Sequence, residues 1–386
     1  MIEPFRLDAL INWIVAGAPA TGSFQDAISE LARKMTSAGL PVDALGVYLW
    51  NFNPTVRGSV YYWTPRSGIK TDRMSHDEMS SPLYQGTVVQ ASMTNGRVIR
   101  HRLGSGTALD DHPTTKAFKD RGYVEYLVCP LVAKHVPTCA IGVLTKQAEG
   151  FAEDEVLAIR RMQAPLAQVV AIQTLHETTV SVLSTYVGRN AGEKVLDGQI
   201  QRGDSEVITA VILFADLKNF TALSNSQPPT ETISTLNIFF DVLDSAIRAN
   251  GGETLKLIGD GLLAIFPTPD DITAQAAAAM GALSALDDTR AVLANSSQQY
   301  KKIAFRAALH VGEVYYGNIG SKNRLDFTAI GPAVNLTARM LQASSEMNIE
   351  TVCSPSFAPL AQDRAKPERQ VLFKGFQDQI WIYSLN

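Results

Sequence analysis

Two acidic residues stand where apolar runs give way to turns. Asp216 directly follows the near-continuous apolar run Val207–Ala215, and Asp260 sits in Gly259-Asp260-Gly261 between Thr254–Ile258 and Leu262–Phe266. The first run predicts a core strand and the second pair a hairpin closed at Gly-Asp-Gly. If the strands follow a βαββαβ order, the first and third are antiparallel neighbours and the two carboxylates meet. Close like charges are costly unless a cation neutralises them. Hard oxygen ligands with open positions suit Mg²⁺ shared with a phosphate, which points to two-metal phosphoryl chemistry. Taken alone, Asp260 reads as an ordinary turn residue, whereas Asp216 beside a core strand is harder to explain structurally. Asn335 and Arg339 are four apart on a helix expected to open at Gly331-Pro332, so they share a face. An Arg aimed at a reacting phosphorus stabilises charge as it develops. In isolation the same pair reads as a capping Asn and a solvated Arg.

The elements that must position these groups read strand, helix, strand, strand, helix, strand. They are Val207–Ala215, Glu231–Ile247, Thr254–Ile258, Leu262–Phe266, Ala274–Leu293 and Ile303–His310. This is the ferredoxin-like βαββαβ arrangement, extended by further strands and one helix, in an α+β chain. The first half predicts a helix at Phe24–Met35 stopped by Gly39 and Pro41. A hairpin of Leu45–Trp50 and Gly58–Trp63 follows, joined through Asn51–Arg57 with Pro54. Later strands are expected at Gly96–Arg100, Val124–Val132 and Cys139–Leu144, with Ser67–Asn95 covering one face of an antiparallel sheet. From Asp154 a helical period runs through Val156, Ile159, Leu166, Val170 and Val180 to Val187, with a kink or break expected at Pro165. Val156–Ile172 either packs on its own sheet or pairs with the same helix of a second chain. Gly188, Gly192, Gly198 and Gly203 then punctuate a connector. The organisation expected is residues 1–175, a helical linker 176–203, and a second domain 204–386.

Composition narrows the function classes. Of 386 residues, 46% are apolar and 19% charged, which describes a globular chain of two domains. Lys plus Arg is 34 against 38 for Asp plus Glu, a net −4, so the chain lacks the basic field of nucleic-acid or anionic-membrane binders. Three cysteines without CxxC spacing fit a reducing compartment, with the cytoplasm as the expected location. Ala9–Ala16 is short and broken by Asn12, and Ala164–Leu175 carries Pro165, Gln168 and Gln173. No targeting segment or membrane span is therefore expected. Gly188 to Lys194 has the wrong spacing for a P-loop and no following Ser or Thr.

Four ordered motifs carry a resemblance: Phe214–Thr221 (FADLKNFT), Leu255–Gly261 (LKLIGDG), Phe305–Gly312 (FRAALHVG) and Asp326–Arg339 (DFTAIGPAVNLTAR). Together they resemble the catalytic domain of class III nucleotidyl cyclases, over about Val207 to Asn386. The resemblance implies metal ligation by Asp216 and Asp260, two Mg²⁺ or Mn²⁺ per active site, and transition-state roles for Asn335 and Arg339. It also implies triphosphate contacts from Arg306 and Lys374. Each active site would lie between the two chains of a head-to-tail homodimer. One chain gives the aspartates and the other gives Lys256, Thr328, Asn335, Arg339 and Lys374. Pro332 and Thr337 depart from the usual family residues without removing a catalytic group.

By the same resemblance Lys256 and Thr328 select the purine. Lys only donates and a Thr hydroxyl can accept, which matches the N1 acceptor and N6 donor of adenine; guanine reverses that edge. ATP is the substrate this pair implies, with conversion to 3′,5′-cyclic AMP. Guanylate cyclases of the family typically carry an acidic residue where Lys256 stands. Thr328 resembles a bacterial subgroup often linked to bicarbonate stimulation. The alternatives are a guanylate cyclase, or a catalytically silent nucleotide-binding or dimerisation module.

The first domain resembles a GAF-type sensor at the level of pattern over about Phe24 to Leu175. The carriers are Gly122–Leu131, Ile141–Thr145, and Glu149–Asp154 leading into a helix. A small-molecule effector pocket there could be lined by Tyr48, Trp50, Tyr61, Tyr62 and Trp63, although alternation on half-buried strands explains these aromatics equally well. Cys129 reads as a small buried residue, and His76, His101 and His112 lack ligand-like spacing. This domain is expected to control, through Thr178–Gly203, how two catalytic halves face each other.

Overall fold

The computed structural model describes residues 4–16, 22–51, 56–296 and 303–386. The tip of the expected hairpin around Pro54 and the extreme N-terminus with Glu3 lie outside the described residues. The chain divides into two compact units, Met1–Thr185 and Tyr186–Asn386.

The first unit contains α1 (Pro4–Val15), α2 (Phe24–Ser37), β1 (Ala44–Trp50), β2 (Gly58–Thr64), β3 (Gly68–Met74), α3 (His76–Ser80) and α4 (Val88–Asn95). It continues with β4 (Ile99–Arg102), α5 (Pro113–Asp120), β5 (Glu125–Leu131), β6 (Cys139–Thr145) and α6 (Glu153–Tyr186). Among the described residues its strands form one antiparallel sheet in the order β3-β2-β1-β6-β5-β4. Period-2 alternation divides the side chains between two cores. Leu45, Val47, Tyr61, Trp63, Leu127 and Ile141 meet α2 and α6 on one face, while Tyr48, Tyr62, Tyr126 and Val128 meet α4 and α5 on the other. Ser23 begins α2 with a reciprocal capping box to Asp26.

Two expectations are corrected here. Ser67–Asn95 does not simply cover a face: residues 68–74 extend the sheet as its edge strand β3, and the cover begins with α3. Pro165 does not break its helix, which runs on from Glu153 to Tyr186. Proline removes one backbone donor, but Met162, Leu166, Ala167 and Val170 are buried on either side of it and hold the turn against the sheet. The stretch Val156–Ile172 thus packs on its own unit, and the helix is continuous across position 175.

The second unit contains α7 (Arg189–Leu196), β7 (Ser205–Leu217), α8 (Phe220–Ser226), α9 (Pro229–Ala249), β8 (Glu253–Ile258), β9 (Gly261–Thr268) and α10 (Ile272–Asn295). It closes with β10 (Phe305–Ser321), β11 (Arg324–Ile330), α11 (Pro332–Met347), β12 (Thr351–Cys353), β13 (Ala365–Val371) and β14 (Ile380–Leu385). The sheet order is β13-β14-β12-β10-β7-β9-β8, with β11 paired to β10. Central strand β7 runs antiparallel to both β9 and β10. Its odd-numbered residues Val211, Leu213, Ala215 and Leu217 are buried against α9 and α10, where Phe239, Leu243, Ile247, Leu283 and Leu286 complete the core. Burying each large side chain contributes about 1.5–3 kcal/mol. The even-numbered residues of β7 face the other side, which α11 partly covers through Ala333, Val334, Leu336 and Met340.

Candidate active site

Alternation along β7 puts Asp216 on the α11 side of the sheet, at the end of the strand. Its register partners are Arg306 on β10 and Gly261 on β9. Asp260 therefore adjoins Asp216 by construction, and the Leu217 backbone N–H donates to the Asp260 carbonyl at 3.2 Å. The hairpin turns on Gly259, whose φ of 63° suits the first position of a tight two-residue loop. Gly261 permits the close approach: a Cβ there would lie 2.6 Å from the Ala215 carbonyl oxygen and 3.2 Å from Asp216 Cβ.

Asp216 Oδ1 and Arg306 Nε are both buried and neither has a hydrogen-bond partner among the described residues. Burial pushes the Asp216 carboxyl up to about 6; the Arg306 guanidinium opposes this shift and the Asp260 charge adds to it. Buried polar atoms are costly to leave unsatisfied, so a pair of them at one site suits an incoming polar or charged group.

A divalent cation fits this donor set. Two carboxylates at one sheet end, one of them holding an orphaned oxygen, offer hard ligands to Mg²⁺ or Mn²⁺. Two carboxylates supply only part of the roughly six oxygen ligands such a cation takes, which leaves coordination positions for a phosphate.

The other expected site residues fall elsewhere on the unit. Lys256 on β8 reaches across to β11, where its Nζ lies 2.6 Å from Asp326 Oδ2. This ion pair holds the Asp326 carboxyl below its ordinary value. Thr328, two residues along β11 on the same face, is buried. Asn335 and Arg339 lie one turn apart on α11 and are exposed, as is Lys374 between β13 and β14. Among the described residues the side chains of these three have no hydrogen-bond or ion-pair partner. One chain therefore gathers Asp216, Asp260 and Arg306 at a strand end and pairs Lys256 with Asp326, two residues before Thr328 on β11, while presenting Asn335, Arg339 and Lys374 to solvent. Asp326 lies inside the motif Asp326–Arg339, and its pairing with Lys256 depends on the approach of β8 to β11, for which the sequence carries no local signal.

In the first unit, His101 Nε2 contacts Asp110 Oδ1 at 2.9 Å and His112 contacts the Pro82 carbonyl at 3.1 Å. Both serve local structure. Cys129 is buried with its thiol pushed up to about 12, so it is unreactive at neutral pH. Tyr61 and Trp63 face the α2 and α6 side, while Tyr48, Trp50 and Tyr62 face α4 and α5.

Residues 204–385 match the family described as the adenylate and guanylate cyclase catalytic domain. The C-terminal unit belongs to that family. Similar proteins include Adenylate cyclase 1 of Rhizobium meliloti (strain 1021), 26% identical over 178 residues, covering 45% of this chain and 27% of the relative. Adenylate cyclase of Anabaena cylindrica is 30% identical over 193 residues, covering 48% of this chain and 38% of the relative. The chain thus spans well under half the length of these relatives. A solved structure of a bacterial light-regulated adenylyl cyclase covers 89% of this chain and 94% of its own at a TM-score of 0.50 and 14% identity, a likeness of fold. Among the described residues no helix is long and apolar enough to cross a membrane.

Proposed function

We propose that the chain is an adenylate cyclase that converts ATP to 3′,5′-cyclic AMP and pyrophosphate. The observation that carries this reading is the pair of orphaned buried atoms, Asp216 Oδ1 and Arg306 Nε, beside Asp260 at the end of β7. A divalent cation held by Asp216 and Asp260 would neutralise the triphosphate and activate the attacking oxygen. Arg306, and Lys374 from a second chain, bind phosphate oxygens. The ribose 3′-oxygen attacks the α-phosphorus in line. Its proton passes to solvent water, the O3′–P bond forms, and the bond from the α-phosphorus to the bridging oxygen breaks, so that oxygen leaves with the pyrophosphate. Arg339 balances the charge that builds on the phosphorus oxygens, and Asn335 donates a hydrogen bond that orients the ribose.

Lys256 donates to adenine N1 and Thr328 accepts from the N6 amino group. Lys256 is already fixed by Asp326, which supports its use as an aimed donor. The solvent-facing positions of Asn335, Arg339 and Lys374 support an active site completed by a second copy of the chain, with two sites per homodimer. The strand order β10-β7-β9-β8 supports the ferredoxin-like reading, and the first unit, read as a GAF-like sensor, regulates the pairing through the linker. Three free, buried cysteines support a reducing, cytoplasmic location.

The test is to incubate the purified chain with ATP or GTP and Mg²⁺ or Mn²⁺ and identify the product. Cyclic AMP that disappears in Asp216→Ala is expected. Preferential cyclic GMP formation, or saturable nucleotide binding without turnover, would replace this reading by a guanylate cyclase or a silent module.

A further inference from the structure

The first unit contains a cavity of about 520 Å³ between the sheet and helices α3 to α5. This is ample for a small molecule of two or three rings. It lies on the face carrying Tyr48, Tyr62 and Tyr126, opposite the face that packs on α6. Its floor depends on two glycines. Gly46 on β1 and Gly142 on β6 are register partners. A Cβ at Gly46 would come within 2.7 Å of Tyr48 Oη, and one at Gly142 within 2.6 Å of Tyr126 Oη. Both tyrosine rings therefore fold down onto the sheet over the missing side chains, and their hydroxyls meet at 2.9 Å. One hydroxyl donates to the other, which leaves the second proton and spare lone pairs for another partner. Burial raises both phenols above their ordinary value, so they stay protonated at neutral pH.

The walls are apolar and aromatic. Tyr62 stacks on Phe118 with an interplanar angle of 8°, and Val88, Val89 and Met93 of α4 also line the cavity. The charged residues that reach the lining, Lys70, Asp72 and Arg121, are all exposed and of both signs, so no single ionic group is selected.

We propose that this cavity is a binding site for an uncharged, planar aromatic molecule bearing one hydrogen-bonding group, its rings against Tyr62 and Phe118 and its polar group on the Tyr48–Tyr126 hydroxyl pair. The site is independent of the cyclase reading, because it is tested by binding and not by turnover.

Titrating the purified 386-residue chain calorimetrically with 2-naphthol and 4-phenylphenol tests it. At least one should bind at one site per chain, with a dissociation constant of about 10–100 µM. Val60→Trp places a bulky ring into the cavity from a half-exposed strand position and should weaken binding at least about tenfold, with unchanged circular dichroism. The double variant Tyr48→Phe, Tyr126→Phe should weaken 2-naphthol about fivefold and leave naphthalene unchanged, a split that mere loosening of the sheet does not produce. Lack of saturable binding by both phenols, binding undiminished in Val60→Trp, or equal losses for naphthol and naphthalene would each overturn the proposal. Tighter competing binding by cyclic AMP at the same site would overturn its restriction to uncharged ligands.

Discussion

Lys256 on β8 and Asp326 on β11 are 70 residues apart in the chain and form an ion pair at 2.6 Å. The lysine is held by a partner on the strand that also carries Thr328. A base-reading donor fixed in this way loses less side-chain entropy when substrate arrives than a free lysine would. Lys256→Ala is expected to lower kcat/KM for ATP about tenfold or more and that for GTP much less, narrowing the preference. Asp326→Ala, which leaves the donor but frees it, should chiefly raise KM for ATP. Steady-state kinetics with both nucleotides check the pair, and equal losses for ATP and GTP in Lys256→Ala would remove the lysine from base selection.

Gly261→Ala probes the closeness of the two aspartates. The added methyl would fall 2.6 Å from the Ala215 carbonyl oxygen, so β9 must move away from β7 at the point where Asp260 joins Asp216. Activity should fall at least about tenfold, with a smaller effect on binding of nucleotide alone, because a misplacement near 1 Å at the reacting centre carries costs of that size. Activity assays and nucleotide titrations of the same preparation check this outcome.

The metal-free protein should carry a pH signature from Asp216. Its folded carboxyl is raised to about 6, against about 3.9 for an unfolded Asp. Between those values the folded state binds more protons, so this group lowers stability as pH rises through the window, and its cost is complete above the upper value. Asp216→Asn is therefore expected to melt about 2–4 °C higher than the parent at pH 7.5 without metal, with the gain vanishing near pH 4. Adding Mg²⁺ should stabilise the parent and not the variant. Thermal melts at the two pH values, with and without metal, check all three statements.

His310 gives the opposite sign. Its Nδ1 lies 2.8 Å from Ser354 Oγ and 3.1 Å from Ser356 Oγ, and burial pushes its imidazole down to about 4. The unfolded chain takes up a proton near 6.5 that the folded chain refuses, so this group's contribution falls as pH drops from about 6.5 towards 4. Denaturant unfolding at pH 7.5 and 5.0 should show a larger loss for the parent than for His310→Asn.

How much of this was legible in the sequence varies by element. The hairpin and Asp216 were readable because an apolar run ending in a carboxylate and a Gly-Asp-Gly tip are local signals. The edge strand β3 was not: Gly68–Met74 is largely exposed on both faces, so it lacks the alternation that marks a half-buried strand. Gly96 opens the strand expected from the sequence, yet it caps α4 in the left-handed region with φ of 63°, and β4 begins only at Ile99. The break expected at Pro165 is absent because burial on either side of it outweighs proline's local cost. Lys256 with Asp326 depends on the β8–β11 approach, which spacing along the chain does not encode. The phosphate-binding roles proposed for Arg306 and Lys374 rest only on the family resemblance.

Complementation between two inactive chains tests the shared active site most directly. On the proposed roles, Asp216→Ala and Arg339→Ala should each be inactive as homodimers, since one removes the proposed metal ligand from both sites and the other the proposed charge-balancing cation from both. When equal amounts are mixed and allowed to exchange, half of the dimers are mixed, and each mixed dimer holds one site free of both substitutions. Recovery to about a quarter of the parent's cyclic AMP production is expected. If the mixture stays as inactive as its components while mixed dimers are shown to form, the two groups act within a single chain and the shared site is wrong.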